Sequence, residues 1–262
     1  MILIGEKLNS SIPSTLEAMK KGEDALLPII TSQAEAGAAY LDINTALLGE
    51  EELPMMKKII SLVIAHSDCG LVLDSPNPSV LSEAVKACED RPVILNSVTV
   101  DERIEEVIPT LAEKHCGVIL LPIDRKNGIP ATAEKRLENA EKAIARLKNA
   151  GVPEEKIWVD VIVETLATAD DKAKIALDTV ALIKSHTKAK SVCGLSNLSF
   201  GLPKRAFLNA SFLSIANYLG LDAAIADPTS PELRKAFYAS SVVCGEDEYC
   251  MNYIGFIRKE YL

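Results

Sequence analysis

The sequence predicts a single (βα)8 TIM barrel, an α/β fold, over residues 1–262. Eight short apolar runs recur along the chain, and amphipathic stretches separate them, which indicates strands alternating with helices. The length of 262 residues is close to the roughly 250 that one such barrel needs. An open doubly wound sheet is the alternative, but no G-x-G-x-x-G follows the first run. We find no linker or low-complexity segment, so we expect one domain.

The apolar runs are short and continuous, as is typical of strands buried on both faces of a parallel sheet. In chain order, the predicted strands contain residues 2–4, 39–41, 71–73, 93–95, 117–121, 157–159, 192–195 and 223–225. The first run begins at once after Met1 and lacks the basic start of a secretory signal peptide.

The stretches between the runs are predicted to be helices, and several carry start or stop signals. Asn77-Pro78-Ser79 is a favourable helix start, and Asp101 is expected to cap the helix after the fourth strand. Gly151 and Gly220 each follow a helical pattern, where glycine commonly ends a helix. The predicted helices cover residues 53–65, 80–88, 101–114, 132–149, 170–186, 203–219 and 231–243.

Composition excludes several classes of protein. The chain has 28 Lys and Arg against 37 Asp and Glu, a net charge of −9, which argues against a general nucleic-acid binder. No run reaches the roughly 18 apolar residues of a membrane span, so a cytoplasmic location is expected. Cysteines never form a C-x-x-C pair, and all are expected to be reduced and structural. No protein-held metal is expected, because each histidine falls at a predicted helix C-terminus: His66, His115 and His186.

A barrel of this kind places its active site at the C-terminal ends of the strands. Each single acid or amide there has an ordinary explanation as a helix cap or turn residue. Asp160 is the sharpest case, because Val161-Ile162-Val163 follows it and it is therefore not an obvious turn residue. Every predicted strand nevertheless delivers such a side chain: Glu6 and Asn9, Asp42 and Asn44, Asp74, Asn96, Asp124, Asp160, Ser196-Asn197, and Asp227.

This set of residues excludes some chemistries and favours one class of ligand. No inner-strand lysine suits a Schiff base, and the segment after the seventh strand is not a glycine-rich phosphate loop. Carboxylates accept N–H donors, whereas amides both donate and accept. The sequence therefore indicates a neutral, planar, hydrogen-bonding ligand such as a pterin.

Segments at these strand ends also carry a family resemblance. They read G-E-K-L-N (residues 5–9), A-G-A-A-Y-L-D-I-N (36–44), L-D-S (73–75), L-N-S (95–97), G-L-S-N-L-S-F-G-L-P (194–203) and G-L-D-A-A-I-A-D (220–227). Nearly end to end, the chain resembles the methyltetrahydrofolate:corrinoid-protein methyltransferases. This pterin-binding barrel family also includes one domain of cobalamin-dependent methionine synthase.

The resemblance implies roles for individual residues. It makes Asn197 the catalytic residue that hydrogen-bonds N5 of the folate, and Asp74, Asn96 and Asp160 the other pterin contacts. The loop at residues 124–128 follows the family pattern only loosely and receives no role. Further residues near the site or its mouth are Asn9, Asp42, Ser196, Arg205 and Asn209.

The resemblance further implies tetrahydrofolate or 5-methyltetrahydrofolate as substrate, cobalamin on a separate corrinoid protein as partner, and a homodimer. We expect no fused corrinoid domain within the 262 residues. A tertiary amine is a poor leaving group, so a donor that bonds N5 more strongly as the methyl departs would stabilise the transition state. Asn197 is expected to be that donor.

Two alternatives remain, together with the direction of transfer. A dihydropteroate synthase-like enzyme is disfavoured because the chain lacks that family's opening loop and late lysine–arginine motif. A non-catalytic folate or corrinoid carrier would have no use for an N5 donor such as Asn197. The methyl group could pass from folate to the corrinoid, as in acetyl-CoA synthesis. It could instead be collected on folate after demethylation of a methoxylated aromatic or a methylamine-type compound, and residues 199–203 resemble this second group more.

Overall fold

The computed structural model describes residues 1–101, 103–114, 116–124 and 126–262, and its strands form a closed parallel barrel. Each strand pairs with the next along the chain, and the last pairs with the first. This confirms the predicted (βα)8 barrel. The strands are β1 (Ile2–Asn9), β2 (Tyr40–Asn44), β3 (Gly70–Asp74), β4 (Val93–Thr99), β5 (Gly117–Leu121), β6 (Ile157–Asp160), β7 (Lys190–Gly194) and β8 (Ala223–Ala226).

The helices surround the barrel. His66 and His186 are the last residues of their helices, as predicted, whereas His115 lies outside the described residues. The helices are α1 (Pro13–Lys21), α2 (Glu23–Glu35), α3 (Glu52–His66), α4 (Pro78–Ala84), α5 (Arg103–Lys114), α6 (Ala133–Asn149), α7 (Lys172–His186), α8 (Arg205–Tyr218), α9 (Pro231–Val243) and α10 (Met251–Tyr261).

The sequence prediction missed α1, α2 and α10. No side chain caps α1, and α2 carries Pro28 in its interior, where proline normally breaks a helix. The start of α10 follows Tyr249 and Cys250, which both have left-handed backbone. Neither is a glycine, so the sequence does not indicate this conformation. Two strand boundaries also differ, because β2 begins at Tyr40 instead of Ala39, and Leu195 begins a short 3₁₀ turn after β7 instead of ending the strand.

The side chains inside the barrel are apolar along most of its length and polar at its mouth. By the mouth we mean the end of the barrel at the C-terminal ends of the strands. Successive strand residues face opposite sides, so residues two apart share a face. Asp74 therefore lies on the same face as Val72, and Asp160 on the same face as Trp158. Val72 and Trp158 belong to an interior cluster, the apolar plug, formed by Ile4, Val72, Ile94, Ile119, Trp158, Val192 and Ala223.

The larger part of the core lies between the barrel and its helices, where outward-facing strand residues such as Leu41, Leu71 and Leu95 pack. All six cysteines are free, and four of them are buried. Within the described ranges, no helix is both long and apolar enough to cross a membrane.

Candidate functional site

Four polar residues lie in one row at the mouth. The hydrogen-bond register sets Asn9 opposite Asn44, Asn44 opposite Asp74, and Asp74 opposite Asn96. We call Asn9, Asn44, Asp74 and Asn96 the polar row. Nδ2 of Asn44 donates to Oδ2 of Asp74 at 2.8 Å, whereas Oδ1 of Asn9 accepts from the backbone N–H of Ser11 at 2.8 Å and so serves a turn. The row places predicted pterin contacts from two adjacent strands side by side.

Asp42 lies one level deeper than the row, because it precedes Asn44 by two residues on the same face of β2. Its side chain is buried, and Oδ1 accepts a 3.4 Å hydrogen bond from Nδ2 of Asn96. Burial and the charge of Asp74 raise the pKa of Asp42 well above its ordinary value. Burial also raises the pKa of Asp74 to about 6, despite the hydrogen bond from Asn44. The pair therefore carries less negative charge than two exposed carboxylates, which suits a neutral ligand.

A second buried acid supports the loops after β2 and β3. Oγ of Ser75 donates to Oε1 of Glu52 at 2.6 Å, and Oγ1 of Thr45 donates to the backbone oxygen of Glu52 at 2.9 Å. Glu52 thus ties the beginning of α3 to the residues that follow Asn44 and Asp74. Sequence reasoning missed this role, because nothing near Glu52 in the sequence marks it.

Asp160 ends β6, and although the apolar residues after it made it no obvious turn residue in the sequence, its side chain closes a turn. Its Oδ1 accepts from the backbone N–H of Ile162 at 2.8 Å, the Asx-turn pattern of a residue bonding its own backbone two positions on. Within the described residues its Oδ2 has no hydrogen bond. Burial raises the pKa of Asp160 to about 6, and the Ile162 N–H and the charge of Arg136 lower it in part.

Asn197 lies in the 3₁₀ turn Leu195–Asn197 that follows β7, and its side chain is exposed. Its amide makes no hydrogen bond with any described residue, so both the N–H donors and the oxygen are available to a ligand. Because the turn directly follows β7, it holds this amide at the mouth, next to the strand that Asp160 ends.

Ser196 and Arg205 hold this turn in place. Oγ of Ser196 donates to Oε1 of Glu6 on β1 at 2.7 Å. The Arg205 guanidinium donates to the backbone oxygen of Ser196 at 2.6 Å and to Oγ of Ser199 at 3.1 Å. These contacts make Ser196 and Arg205 supports for Asn197.

Asn209 lies one helical turn after Arg205 on α8, and its Oδ1 is buried without a hydrogen-bond partner among the described residues. Buried side-chain acceptors are normally satisfied by protein or water. The orphaned oxygen therefore suits a bound water or a ligand atom.

The two remaining strand-end acids have other partners. Asp227 forms a 3.0 Å ion pair with Lys7, which joins β8 to β1 at the mouth. Asp124 accepts from the backbone N–H of Lys126 at 2.7 Å and from Nδ2 of Asn127 at 2.8 Å, which closes a turn and lowers its pKa. The loop at residues 124–128 is described except for Arg125, which lies outside the described residues.

Large apolar side chains stand exposed around the mouth. They come from the segments after β2, β5 and β7 and from the first turn of α8: Leu47, Ile129, Phe200 and Phe207. We call these four the apolar rim. Leu47, Phe200 and Phe207 are each more than 60% exposed. Exposed apolar residues grouped around a site are typical of a surface that meets another apolar partner.

The mouth as a whole carries carboxylate acceptors, amides and an apolar rim. Asp74, Asn96, Asp160 and Asn197 all lie at the mouth, whereas Asn9 serves a turn there. Over the described ranges, we find no group of three or more His, Cys, Asp and Glu side chains placed to hold a metal ion.

Comparison with known proteins places these features in context. The family described as pterin binding enzyme matches residues 6–227. The methylcorrinoid:tetrahydrofolate methyltransferase of Eubacterium limosum is 30% identical over 258 residues, which cover 97% of this chain and 94% of that protein. Methionine synthases of Mycobacterium tuberculosis and Mycobacterium leprae are 31% identical over 86% of this chain, which spans only 20% of their length.

Solved structures show the same barrel. The dihydropteroate synthase of Coxiella burnetii in complex with pteroic acid superposes with a TM-score of 0.67 at 18% identity, over 92% of this chain and 94% of that one. The enzyme of Xanthomonas albilineans in complex with 7,8-dihydropteroate gives 0.71 at 16% identity, over 92% and 93%. At such low identity this likeness concerns the fold alone.

Proposed function

The chain belongs to the family of pterin binding enzymes and is a methyltransferase; from this premise we propose that it moves a methyl group between N5 of tetrahydrofolate and the cobalt of a corrinoid carried on a separate protein. One observation carries the proposal: the amide of Asn197, free of any described protein partner, lies at the same mouth as the free Oδ2 of Asp160. We infer that Asn197 bonds N5 while Asp160 accepts from the pterin ring.

The pterin edge and the protein groups match in hydrogen-bonding character. A pterin presents an exocyclic amine beside a ring N–H, and both are donors. Oδ2 of Asp160 and the carboxylate of Asp74 are acceptors, whereas Asn96 offers either character. The strongly raised pKa of Asp42 limits the negative charge beneath the polar row, so an uncharged ring system is accommodated.

Asn197 serves the chemistry in both directions. When 5-methyltetrahydrofolate is the donor, the bond between N5 and the methyl carbon breaks, its electron pair stays on N5, and N5 takes a proton from solvent. An Nδ2–H of Asn197 stabilises N5 as that pair develops. When tetrahydrofolate is the acceptor, the N5 pair forms the new bond to carbon and the N5 proton leaves to solvent, with Oδ1 of Asn197 accepting from N5–H.

The corrinoid supplies the cobalt that binds the methyl group and keeps the electron pair when the methyl leaves. The apolar rim, with Phe200 and Phe207 both exposed, is the surface on which we place the corrinoid-bearing partner.

The working direction that we propose is from methylcorrinoid to tetrahydrofolate. The Eubacterium limosum relative, whose name states that direction, matches this chain nearly from end to end, whereas the methionine synthases match over a fifth of their length. The enzyme would then collect methyl groups that another protein has placed on the corrinoid.

The homodimer that the family resemblance implies has a candidate interface on α8. From Ala206 to Leu221 the sequence holds no charged residue, and Ile215 and Tyr218 are exposed on this helix. An uncharged surface can pack against a copy of itself without like-charge repulsion. Sedimentation of the wild-type protein and of a Tyr218→Lys variant tests this, and a monomeric wild type contradicts it.

The enzyme activity is tested directly by spectroscopy. Under anaerobic reducing conditions, the protein with 5-methyltetrahydrofolate and cob(I)alamin should produce the methylcobalamin spectrum, and methylcobalamin with tetrahydrofolate should lose it. If folate binds but neither conversion occurs, the protein is a carrier and the proposal is wrong. Formation of dihydropteroate from a dihydropterin pyrophosphate and p-aminobenzoate would instead identify a synthase.

A further inference from the structure

Arg136, on α6, is completely buried, with 0% of its surface exposed. Arginine is almost never fully buried unless its donors are paired. Here Nη1 donates to the backbone oxygens of Val161 and Ile162, both at 2.7 Å. Nε donates to the backbone oxygen of Pro130 at 3.1 Å, and Nη2 donates to Glu164 at 2.8 Å. Three of these four acceptors belong to residues 161–164, which directly follow Asp160 and which we call the β6 loop.

The backbone of the β6 loop is held in an unfavourable conformation. Ile162 has a φ of +55°, in the left-handed region that β-branched side chains avoid. Such a residue costs on the order of 1–3 kcal/mol, and it persists only where its surroundings fix it. The surroundings fix Ile162 from both sides, because its N–H is bound by Asp160 and its carbonyl by Arg136.

The same contacts set the direction of the Asp160 carboxylate. Since Oδ1 is committed to the N–H of Ile162, the position of that N–H decides where Oδ2 points. Glu164 is held by both flanking helices. Lys172 on α7 forms an ion pair with its Oε1 at 3.0 Å, and Arg136 on α6 donates to its Oε2. The β6 loop is thus anchored to both of its flanking helices.

We propose that Arg136 is a positioning residue for pterin binding, which never touches the ligand but holds the β6 loop so that Oδ2 of Asp160 faces the ring. The alternative is that Arg136 only stabilises the fold. The proposal rests on the proposed function, since it takes a pterin as the ligand of Asp160.

Three variants separate the two roles. Arg136→Lys keeps the charge but loses the planar guanidinium, whose three nitrogens reach all four acceptors. Glu164→Gln keeps an oxygen for Arg136 and removes the ion pairs. Ile162→Gly removes the backbone strain and also the side chain that resists other conformations. Arg146→Lys is the matched control, because Arg146 lies on the same helix and bonds the backbone of Val100, away from the β6 loop.

We expect Arg136→Lys and Ile162→Gly to bind tetrahydrofolate about tenfold more weakly, the equivalent of one hydrogen bond, by isothermal titration calorimetry. With saturating folate, kcat should stay within about twofold, because Asn197 is untouched. Ile162→Gly also removes a buried side chain and should therefore melt lower than wild type, so its affinity is measured at a temperature where the protein is fully folded. A purely structural role predicts instead that each variant, once folded, binds tetrahydrofolate as tightly as wild type. Glu164→Gln should weaken binding by a smaller factor, and Arg146→Lys should leave it unchanged.

The result that overturns the proposal is a folded Ile162→Gly or Arg136→Lys protein with the wild-type dissociation constant for tetrahydrofolate. Should Arg136→Lys fail to fold, Ile162→Gly and Glu164→Gln still decide it. Failure of the proposed function looks different, because wild-type protein itself would then not bind tetrahydrofolate. Hydrogen exchange at the Ile162 amide, slow in wild type and faster in Arg136→Lys, shows whether the anchor operates in either case.

Discussion

A methyl group on Gly194 would lie 3.0 Å from Nδ2 of Asn197, and among the described residues beyond its chain neighbours no other would come within 4 Å of it. The backbone of Gly194, with φ −77° and ψ 88°, is open to other residues, so space and not conformational freedom favours glycine here. The amide proposed to bond N5 therefore packs directly against Gly194, the last residue of β7.

Gly194→Ala should displace the Asn197 amide without disturbing the fold. A displacement well under 1 Å is expected to lower kcat by about tenfold, because alignment with N5 is lost. The dissociation constant for tetrahydrofolate should change less. Gly255→Ala on α10, where an added methyl meets nothing within 4 Å, is the matched control and should retain full turnover. Equal turnover in the two variants would contradict the placement of Asn197.

Asn197→Ala should lower kcat by about 100-fold, the usual effect of removing one donor that acts in the transition state. Folate affinity should fall less, since Asp74, Asn96 and Asp160 remain. The melting temperature should not change, because the side chain is exposed and bonds no described residue. Stopped-flow formation of methylcobalamin measures the effect, and undiminished turnover removes Asn197 from the mechanism.

Asp160→Asn should weaken folate binding and at the same time stabilise the protein at neutral pH. The pKa of Asp160 is raised to about 6, so its charged form is disfavoured in the folded state. Its contribution to stability is therefore complete below the unfolded pKa of about 4 and is lost as pH rises through about 6. Asparagine keeps the oxygen that Ile162 needs and never ionises.

The stabilisation of Asp160→Asn should thus be largest above pH 6, up to about 3 kcal/mol, and should shrink as pH falls toward 4. Urea denaturation of both proteins at about pH 5 and pH 7.5 measures it. If the gain in stability is the same at both pH values, removal of the buried charge is not its cause. Unchanged tetrahydrofolate affinity would count against the role of Asp160 in binding.

Folate affinity of the wild-type protein should fall as pH drops through about 6, where the pKa values of both Asp74 and Asp160 lie. Protonation converts each acceptor into a group that offers one O–H and fewer acceptor sites. Calorimetric titration between about pH 5 and 8 measures this dependence, and Asp160→Asn should show a shallower one. Wild-type affinity that is level across the range would mean that neither carboxylate has to be charged.

Phe200→Ser should impair reaction with a corrinoid protein while sparing reaction with free cobalamin. Phe200 is 68% exposed on the apolar rim, and its ring has a cation–π contact with Arg205 at 5.9 Å, so reaction with free cobalamin shows whether the Asn197 turn is disturbed. We expect kcat/KM for a corrinoid protein to fall by about tenfold, corresponding to roughly 1.4 kcal/mol. Tyr261→Ser, on α10 and 53% exposed, is the control and should have no effect. Equal losses with free and protein-bound cobalamin would contradict docking at the rim.

Much of the fold was predictable, because strands buried on both faces give continuous apolar runs and their polar ends follow by alternation. The turn at Asp160 was not, since Ile162 adopts left-handed backbone without the glycine or asparagine that usually signals it. The sequence prediction placed Asn44 at the mouth but gave it no role, and the roles of Glu52 and Arg136 went unrecognised. Their partners lie more than 20 residues away along the chain, so no local pattern reveals them.

The polar row has a consequence for how the specificity of this barrel can change. Asn44 and Asp74 share a bond across two strands, so a substitution at one alters the partner of the other. Asn44→Asp alone would set two carboxylates against each other on adjacent strands. Combined with Asp74→Asn, it exchanges donor and acceptor and leaves the 2.8 Å bond possible. Recognition of a different ring would therefore be reached through paired substitutions, in which the second change rescues the first.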